Sequence, residues 1–240
     1  MAQESDREPG LVALARQGIH LVGWKGTLQT ATYGLRKARL DKRYLRNRPT
    51  GPEVRPGPRG EVVGTDDIAR IPLGEMELEA AFVDEGLCRI TWTPGRLPVP
   101  AAVDEPRPPP KSFDLEEVDG RVVMTMRMLR VAVGGDGSVE VSCVKGSDHV
   151  VVRRERPPVR VGERWTATVD LEPEDQVHGL GERAAPFNLR PGTYGLWNTE
   201  QSGSYGPEAD PLYITIPVHL VVAPGRAHLG FWENTHRGEV

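Results

Sequence analysis

Hydrophobic and polar residues alternate along most of the chain beyond residue 60, a pattern typical of half-buried β-strands. The alternating runs are rich in valine, isoleucine and aromatic residues and recur every 10 to 15 residues. The clearest runs cover 61–63, 76–83, 87–92, 121–133, 138–144, 149–154, 164–171, 212–222 and 228–232. Because no helical pattern between them is long enough to connect parallel partners, we expect an all-β fold, an antiparallel β-sandwich of about ten strands.

Two short turns divide this pattern into hairpins. Asp84-Glu-Gly86 separates one pair of strand-like runs, and Gly134-Gly-Asp-Gly137 separates another. Glycine and aspartate favour the backbone conformations that tight hairpin turns require. We therefore predict that the runs on either side of each turn pair with one another.

The first 59 residues follow a different pattern. Hydrophobic positions in residues 11–19 have helical spacing, whereas 35–45 fits a helix and an irregular arm equally well. Prolines and glycines then crowd residues 49–58 and exclude regular structure there. This break predicts a basic N-terminal extension, residues 1–59, that is a short irregular or helical arm, followed by a β-sandwich domain, residues 60–240.

Composition narrows the class of protein. The chain has 240 residues, of which 38% are hydrophobic, so it can bury a core; its 27 glycines and 22 prolines exclude a helical bundle or a coiled coil. No apolar run approaches the roughly 20 residues of a membrane span, and the acidic first residues do not resemble a signal peptide. We expect Cys88 and Cys143 to be free thiols in a reducing compartment, hence a cytoplasmic protein without a membrane partner.

Charge is distributed unevenly along the chain. Residues 25–48 contain eight basic residues and one acidic residue, a net charge of +7; since the whole chain carries −4, the rest carries −11. With Trp24, Tyr33 and Tyr44 beside or within it, the basic stretch fits an RNA-binding arm, but it also fits a solvated helix face. The acidic remainder repels phosphate groups, so we expect no nucleic-acid partner.

Familiar catalytic and metal-binding motifs are absent from the sequence. Ser202 and Ser204 lie in a run, Gln201-Ser-Gly-Ser-Tyr-Gly206, that does not match the G-x-S-x-G nucleophile elbow. No two of the six histidines are three or four residues apart and the two cysteines are widely spaced, so we predict no metal site. Gly179-Leu-Gly-Glu-Arg-Ala184 matches G-x-G-x-x-A, but Pro186 follows where a dinucleotide fold needs a helix, so we predict no cofactor.

Four strings near the end of the sequence carry the strongest functional signal. They are His178-Gly-Leu-Gly-Glu-Arg183, Leu196-Trp-Asn-Thr-Glu200, Asp210-Pro-Leu-Tyr-Ile-Thr-Ile-Pro217 and Leu229-Gly-Phe-Trp-Glu-Asn234. Their order and spacing resemble the end of the N-terminal β-sandwich of glycoside hydrolase family 31, the α-glucosidase and α-xylosidase group. The resemblance covers residues 60–240 and implies a galactose-mutarotase-like sandwich.

The resemblance also implies a role for one loop. In the family, the loop after the second string reaches the mouth of a catalytic (β/α)₈ barrel, where its acid hydrogen-bonds an α-linked glucoside or related oligosaccharide. That acid falls on Glu200, and the hydroxyl residue two positions further falls on Ser202. The family has aspartate where this chain has Glu200, so the longer side chain puts the substrate range in question.

The residues themselves leave two interpretations open at this loop. Trp197 beside polar side chains is typical of a sugar-binding platform, but it also fits a core residue. Glu200 fits a substrate ligand and a solvated loop acid. In the first string Gly181 permits a tight turn, and we expect Glu182 and Arg183 to form an ion pair that braces it.

The family's catalytic aspartates belong to the barrel, and this sequence has no matching strings. A barrel takes about 250 residues, so the resemblance implies that residues 1–240 are inactive alone, whether as a fragment, a split product or a subunit. We expect a barrel partner and an apolar docking face that includes Leu212, Ile214, Ile216 and Phe231, with self-association into homo-oligomers.

Two other functions stay open. A free-standing carbohydrate-binding module would use Trp197, Tyr205 and Glu200. An aldose epimerase shares the sandwich fold, but it would need a histidine and a glutamate that converge on one concave face, and the scattered histidines disfavour it.

Overall fold

The chain divides into two compact units. The computed structural model describes residues 11–44, 51–65, 67–93, 111–200, 206–207, 209–233 and 236–240. One unit comprises Met1–Arg48 and Glu200–Pro207, and the other comprises Pro49–Thr199 and Glu208–Val240. All strands named below belong to the second unit. The predicted domain boundary between residues 59 and 60 stays a prediction.

The described part of the first unit is mainly helical. Helix α1 spans Leu11–Tyr44 and is interrupted at Gly23, whose φ of 73° and ψ of 167° are not helical. Glycine adopts such a backbone at little steric cost, so α1 consists of two helices joined at this residue. The N-terminal arm is therefore helical, one of the two forms that its sequence left open. No helix in the described residues is long and apolar enough to cross a membrane.

Sixteen strands occur in the described residues, and every pairing between them is antiparallel. They are β1 (Glu53–Val54), β2 (Val63–Gly64), β3 (Ile68–Leu73), β4 (Met76–Asp84), β5 (Leu87–Thr93), β6 (Asp114–Val118), β7 (Arg121–Thr125), β8 (Leu129–Val133), β9 (Val139–Lys145), β10 (Asp148–Val161), β11 (Arg164–Asp170), β12 (Gln176–Gly181), β13 (Gly195–Leu196), β14 (Thr215–Ala223), β15 (Arg226–Phe231) and β16 (Gly238–Glu239). The main sheet has the order β1-β10-β9-β8-β7-β6, with β11 also paired to β10. The other sheets are β2-β3-β4-β5, β12-β14-β15 and β13-β16.

The principal core joins the main sheet to the β2-β3-β4-β5 sheet. Leu78, Ala80 and Phe82 alternate along β4 and are at most 2% exposed. They form one hydrophobic cluster with Val131 and Val141 of the main sheet. Each large apolar side chain buried there stabilises the fold by about 1.5–3 kcal/mol. Antiparallel sheets that share a core in this way confirm the predicted β-sandwich.

The β12-β14-β15 sheet packs one of its faces towards the main sheet. Strand β15 contacts β10 of the main sheet. Val177 of β12 and Val221 of β14 are buried in a second cluster with Leu180 and Leu189. This smaller sheet carries parts of the first, third and fourth strings, so its position determines the geometry of the candidate site.

The strand pattern is only partly readable from the sequence. Both predicted hairpins form, because β4 pairs with β5 and β8 pairs with β9. The run at 121–133 is two strands, since Met126 donates its N–H to the Leu129 carbonyl and closes a turn. The sequence does not predict β3, which contains Pro72, or β6, whose five residues are all exposed. The run expected from residue 212 becomes a strand only at Thr215.

Candidate functional site

The glycine-rich turn of the first string allows two strands to approach closely. Gly181 has a φ of 92°, and a Cβ atom there would lie 2.3 Å from the carbonyl oxygen of Ile214. Other residues adopt such a φ only with strain, so this position requires glycine. The pairing of β12 with β14 shifts register between Gly179 and Gly181: Gly179 lies opposite His219 and Gly181 opposite Thr215, so the extra residues of this irregularity are on β14.

Arg183 follows this turn and forms a buried ion pair with Asp210. Its Nη1 lies 2.5 Å from Asp210 Oδ1, and its side chain is only 4% exposed. Its Nη2 donates to the Leu180 carbonyl at 2.5 Å, and its guanidinium carbon lies 5.0 Å from the centre of the Tyr194 ring. The predicted pairing of Arg183 with Glu182 is therefore wrong. A guanidinium in the interior needs a charged partner that is also inside, and Glu182 is exposed.

The second oxygen of Asp210 holds the residue that precedes the second string. Gly195 donates its N–H to Asp210 Oδ2 at 2.6 Å. Further along, Thr199 donates its N–H to a carbonyl of the third string at 2.8 Å, and Thr215 donates its N–H to Asn198 Oδ1 at 2.7 Å. We call residues 195–199 the anchored segment, because the third string holds it at both ends.

The four strings thus form one hydrogen-bonded unit. Arg183 joins the first string to the third, and the bonds of Thr199 and Asn198 join the second string to the third. Trp232 of the fourth string donates its backbone N–H to the Pro217 carbonyl at the end of the third, at 2.9 Å. Segments that are separated in the sequence therefore fix the conformation of the anchored segment together.

The predicted substrate-binding residues lie in or after the anchored segment. Trp197 is 46% exposed, so its ring faces solvent and is not a core residue. Glu200 is exposed and begins the stretch that groups with the first unit. Ser202 and Tyr205 lie outside the described residues. The roles of Trp197, Glu200 and Ser202 in substrate binding stay predictions.

A second polar cluster, which the sequence analysis missed, joins the β12-β14-β15 sheet to the main sheet. Arg153 Nη1 lies 3.2 Å from His219 Nε2 and 3.5 Å from His228 Nε2. The Arg153 guanidinium carbon is 5.2 Å from the centre of the Trp232 ring, and its Nε is 2.5 Å from Glu155 Oε1. We call these five residues the inter-sheet cluster.

Both histidines of the inter-sheet cluster are neutral at pH 7. Burial, and then the charge of Arg153, lower the pKa of His219 to about 4, and the same causes lower the pKa of His228 to about 4. His219 is only 6% exposed, and its Nδ1 has no hydrogen-bond partner among the described residues. Two histidines and a glutamate therefore do come together around Arg153, but they do so between two sheets.

Strand register explains why this cluster is hard to find in the sequence. His219 lies opposite Gly230, and His228 lies opposite Val221, so both rings project from the same face of the β14–β15 hairpin. The two histidines are nine positions apart, outside the spacings by which metal and helix motifs are recognised. Strict alternation on both strands is the one sequence signal that places them on one face.

Other reactive groups in the described residues offer no metal site. No group of three or more histidine, cysteine or carboxylate side chains in that part of the chain could hold a metal ion. Both cysteines are free, and burial raises the pKa of Cys88 to about 11, so its thiol is protonated at neutral pH. A cavity of about 260 Å³ on the main sheet is lined by paired side chains such as Arg156 and Asp170, and Trp197 is not among them.

Comparisons of sequence with known proteins agree with this architecture. Residues 77–240 match the family described as glycosyl hydrolase 31 N-terminal galactose mutarotase-like domain. Over 67 residues the chain is 34% identical to alpha-glucosidase 2 of Bacillus thermoamyloliquefaciens, a stretch that is 28% of this chain and 8% of that protein.

Solved structures show the same fold. The chain is similar to a GH31 dextranase of Flavobacterium johnsoniae complexed with isomaltotriose, with a TM-score of 0.65 at 18% identity, covering 78% of this chain and 23% of that one. It is also similar to the cycloalternan-forming enzyme of Listeria monocytogenes in complex with a pentasaccharide substrate, with a TM-score of 0.54 at 15% identity, covering 70% and 16%. These similarities concern the fold alone; the family match over residues 77–240 confirms the predicted galactose-mutarotase-like sandwich.

The chain spans less than a quarter of each of these three proteins. The family match covers well over half of the chain and includes all four strings. The chain therefore belongs to the family of glycosyl hydrolase 31 N-terminal galactose mutarotase-like domains.

Proposed function

We propose that this chain is the non-catalytic N-terminal domain of an α-glucosidase-like retaining glycoside hydrolase. It packs on a catalytic (β/α)₈ barrel, in the same enzyme or on a separate chain, and contributes a loop to the mouth of the active site. The substrate is an α-linked glucoside or a related oligosaccharide. Family membership, the alpha-glucosidase relative and the sugar-bound structural neighbours support this proposal.

One observation carries the proposal: the β12-β14-β15 sheet has a second apolar face, which is exposed. Leu229 is 70% exposed and Phe231 is 45% exposed. Their cross-strand partners are Leu220 and Val218 of β14. Because side chains alternate along a strand, these residues project from the face opposite His219 and the main sheet.

The exposed apolar surface continues across β12. His178 lies opposite Leu220, and its ring contacts that of Phe187 at a centroid distance of 4.4 Å, with the two planes tilted by 37°. Phe187 itself is 85% exposed. We call this surface the outer face; its members are His178, Phe187, Val218, Leu220, Leu229 and Phe231.

Of the four predicted docking residues, only Phe231 is a member of the outer face. Ile214 is 57% exposed, Ile216 is 50% exposed and Phe231 is 45% exposed, as a docking face requires. Leu212 is only 2% exposed, so its prediction as a docking residue is wrong. Leu212 belongs instead to the stretch of the third string that holds the anchored segment.

Removal of the outer face from water would favour association strongly. Burial of one leucine or phenylalanine side chain is worth about 1.5–3 kcal/mol. Contiguous apolar patches on soluble proteins mark sites of interaction. The relatives of this chain are far longer than the part that it matches, so the remainder of such an enzyme is the partner that we assign to the outer face.

The anchored segment supplies the proposed substrate contacts. Trp197 offers an exposed ring for the apolar side of a pyranose, and Glu200 and Ser202 follow it with groups that hydrogen-bond hydroxyls. The acid and the nucleophile that cleave the glycosidic bond must stand about 5–5.5 Å apart in a retaining enzyme. In this proposal both carboxylates belong to the barrel.

Complementation tests the proposal. The chain alone should not hydrolyse nitrophenyl α-glucoside, and addition of a family 31 barrel polypeptide should restore turnover. Glu200→Ala should reduce the restored turnover, whereas Glu174→Ala, which removes another exposed acid of the same chain, should not. Hydrolysis by the chain alone that is lost in Glu200→Ala would overturn the proposal.

The docking surface can be tested separately. Leu229→Asp should weaken association with the barrel at least tenfold in calorimetry, because it places a charge in the apolar contact. Leu87→Asp is the matched control: Leu87 is 55% exposed, but it lies in β5, outside the outer face. Equal effects of the two substitutions would refute the assignment of the outer face.

The exposure of Trp197 favours a second candidate, a free-standing carbohydrate-binding module that uses Trp197, Tyr205 and Glu200. Such a module should bind maltose or isomaltose without a barrel, and calorimetry on the chain alone distinguishes the two functions. We also propose a cytoplasmic location, which the free thiols support, and homo-oligomers formed through the outer face when the barrel is absent.

A further inference from the structure

Asp210 makes two different contacts with its two carboxylate oxygens. Oδ1 pairs with Arg183 Nη1 at 2.5 Å, and Oδ2 accepts the Gly195 N–H at 2.6 Å. The Asp210 side chain is 15% exposed and that of Arg183 is 4% exposed, so water competes little with either contact. Hydrogen bonds that involve a buried charge are stronger than neutral ones.

Arg183 is fixed in turn by groups other than Asp210. Its Nη2 donates to the Leu180 carbonyl, and its guanidinium lies over the Tyr194 ring. Leu180 is 1% exposed, and Tyr194 packs against the second hydrophobic cluster, so both are held by apolar packing. Well-packed residues thus fix Arg183, Arg183 fixes Asp210, and Asp210 fixes Gly195, the first residue of the anchored segment.

We propose that Arg183 and Asp210 are positioning residues that hold Trp197 and the chain leading to Glu200 in the conformation needed for substrate contact. This inference rests on the proposed function of that loop. The segment needs these additional contacts because β13 has only two residues. Strand pairing of that length alone cannot fix the position of the exposed Trp197 side chain that follows it. A displacement of about 1 Å in a positioning element can reduce turnover a hundredfold.

Asp210→Asn removes one of the two hydrogen bonds that the side chain accepts and changes its shape little. The two donors face different oxygens of the carboxylate, and in asparagine one of those oxygens is replaced by an NH2 group, which cannot accept a hydrogen bond from Arg183 or Gly195. We expect the Gly195 amide to exchange with solvent about tenfold faster in NMR hydrogen-exchange measurements on the chain alone. The amides of β8, in the principal core, should keep their exchange rates.

Asp175 offers a matched control in the same unit. Its Oδ1 pairs with Arg226 Nη2 at 2.5 Å, its Oδ2 accepts the Glu172 N–H at 2.8 Å, and it is 5% exposed. Asp175→Asn should therefore leave the Gly195 exchange rate unchanged. Equal acceleration at Gly195 in both variants, or none in Asp210→Asn, would overturn the inference.

A milder variant decides the question if Asp210→Asn does not fold. Arg183→Lys keeps the charge beside Asp210 but loses the second donor that binds the Leu180 carbonyl. The Gly195 amide should then exchange about threefold faster. A rate equal to that of the wild type would overturn the role of Arg183.

Kinetics with the barrel present provide a readout that a merely structural role would not change. Asp210→Asn should raise the KM for nitrophenyl α-glucoside about tenfold. As a control for stability, the thermal midpoints of Asp210→Asn and Asp175→Asn should be equal. A faster Gly195 exchange with an unchanged KM would refute the positioning role. If the wild-type chain and barrel give no turnover, the proposed function fails, and the exchange rate at Gly195 still shows whether Asp210 holds the segment.

Discussion

A fall in pH from 7.5 to 5.0 is expected to destabilise the protein through His219. In the folded chain the pKa of His219 is about 4, against an ordinary value of 6.5, because the ring is buried beside Arg153. As the pH falls below 6.5, His219 becomes protonated in the unfolded chain but stays neutral in the folded chain. Stability that is present above pH 6.5 is therefore lost progressively down to about pH 4.

The size of the effect follows from this difference in pKa. Each pH unit in the window costs about 1.4 kcal/mol of unfolding free energy for one such group. Between pH 6.5 and 5.0 the loss is at most about 2 kcal/mol, and solvent that reaches the inter-sheet cluster reduces it to about 1–2 kcal/mol. The pKa of His228 is lowered for the same reasons, so its contribution has the same sign.

Urea unfolding at pH 7.5, 6.5 and 5.0 measures this loss. In His219→Gln the ring is replaced by a neutral amide, so the decline in stability between pH 6.5 and 5.0 should be smaller by about 1–2 kcal/mol. His149→Gln is the control, because His149 is exposed on β10. A decline in His219→Gln as steep as that of the wild type would show that His219 does not carry the pH dependence.

Three further predictions concern close packing and reactivity. In Gly230→Ala the new Cβ would lie 2.3 Å from His219 Cε1, so we expect a loss of about 1–3 kcal/mol in urea unfolding, whereas Gly86→Ala, with open space around it, should change stability little. Gly181→Ala combines a backbone clash with a φ of 92°, and most of this variant should be found in the insoluble fraction on expression. At pH 8 Cys88 should react with iodoacetamide about a hundredfold more slowly in the folded protein than in urea, because burial raises its pKa to about 11; equal rates would contradict this burial.

Local signals in the sequence predict the local features of the fold. The hairpin at 134–137 is predictable because its glycines and aspartate favour a tight turn and the flanking runs alternate. Strand β3 escapes prediction because Pro72 normally marks a strand edge, and here it lies opposite Glu77 inside the sheet. Tertiary packing overrides the local preference at that residue.

Long-range partners are the part of the site that the sequence does not reveal. Glu182 is adjacent to Arg183 and looks like its partner, but the arginine reaches Asp210, which lies 27 positions away. His219 and His228 become neighbours only through the register of a hairpin. The exposure of Trp197 excludes the core position that its sequence left open, and its role as a sugar platform stays a prediction.

Trp232 gives the protein an internal optical reporter. Its indole stacks on His219 at a centroid distance of 5.9 Å and lies under the Arg153 guanidinium, so its surroundings combine groups from two different sheets. Imidazolium rings quench indole fluorescence more strongly than neutral imidazole does. The emission of Trp232, isolated by replacing the other four of the five tryptophans with phenylalanine, would therefore record both separation of the sheets and protonation of His219.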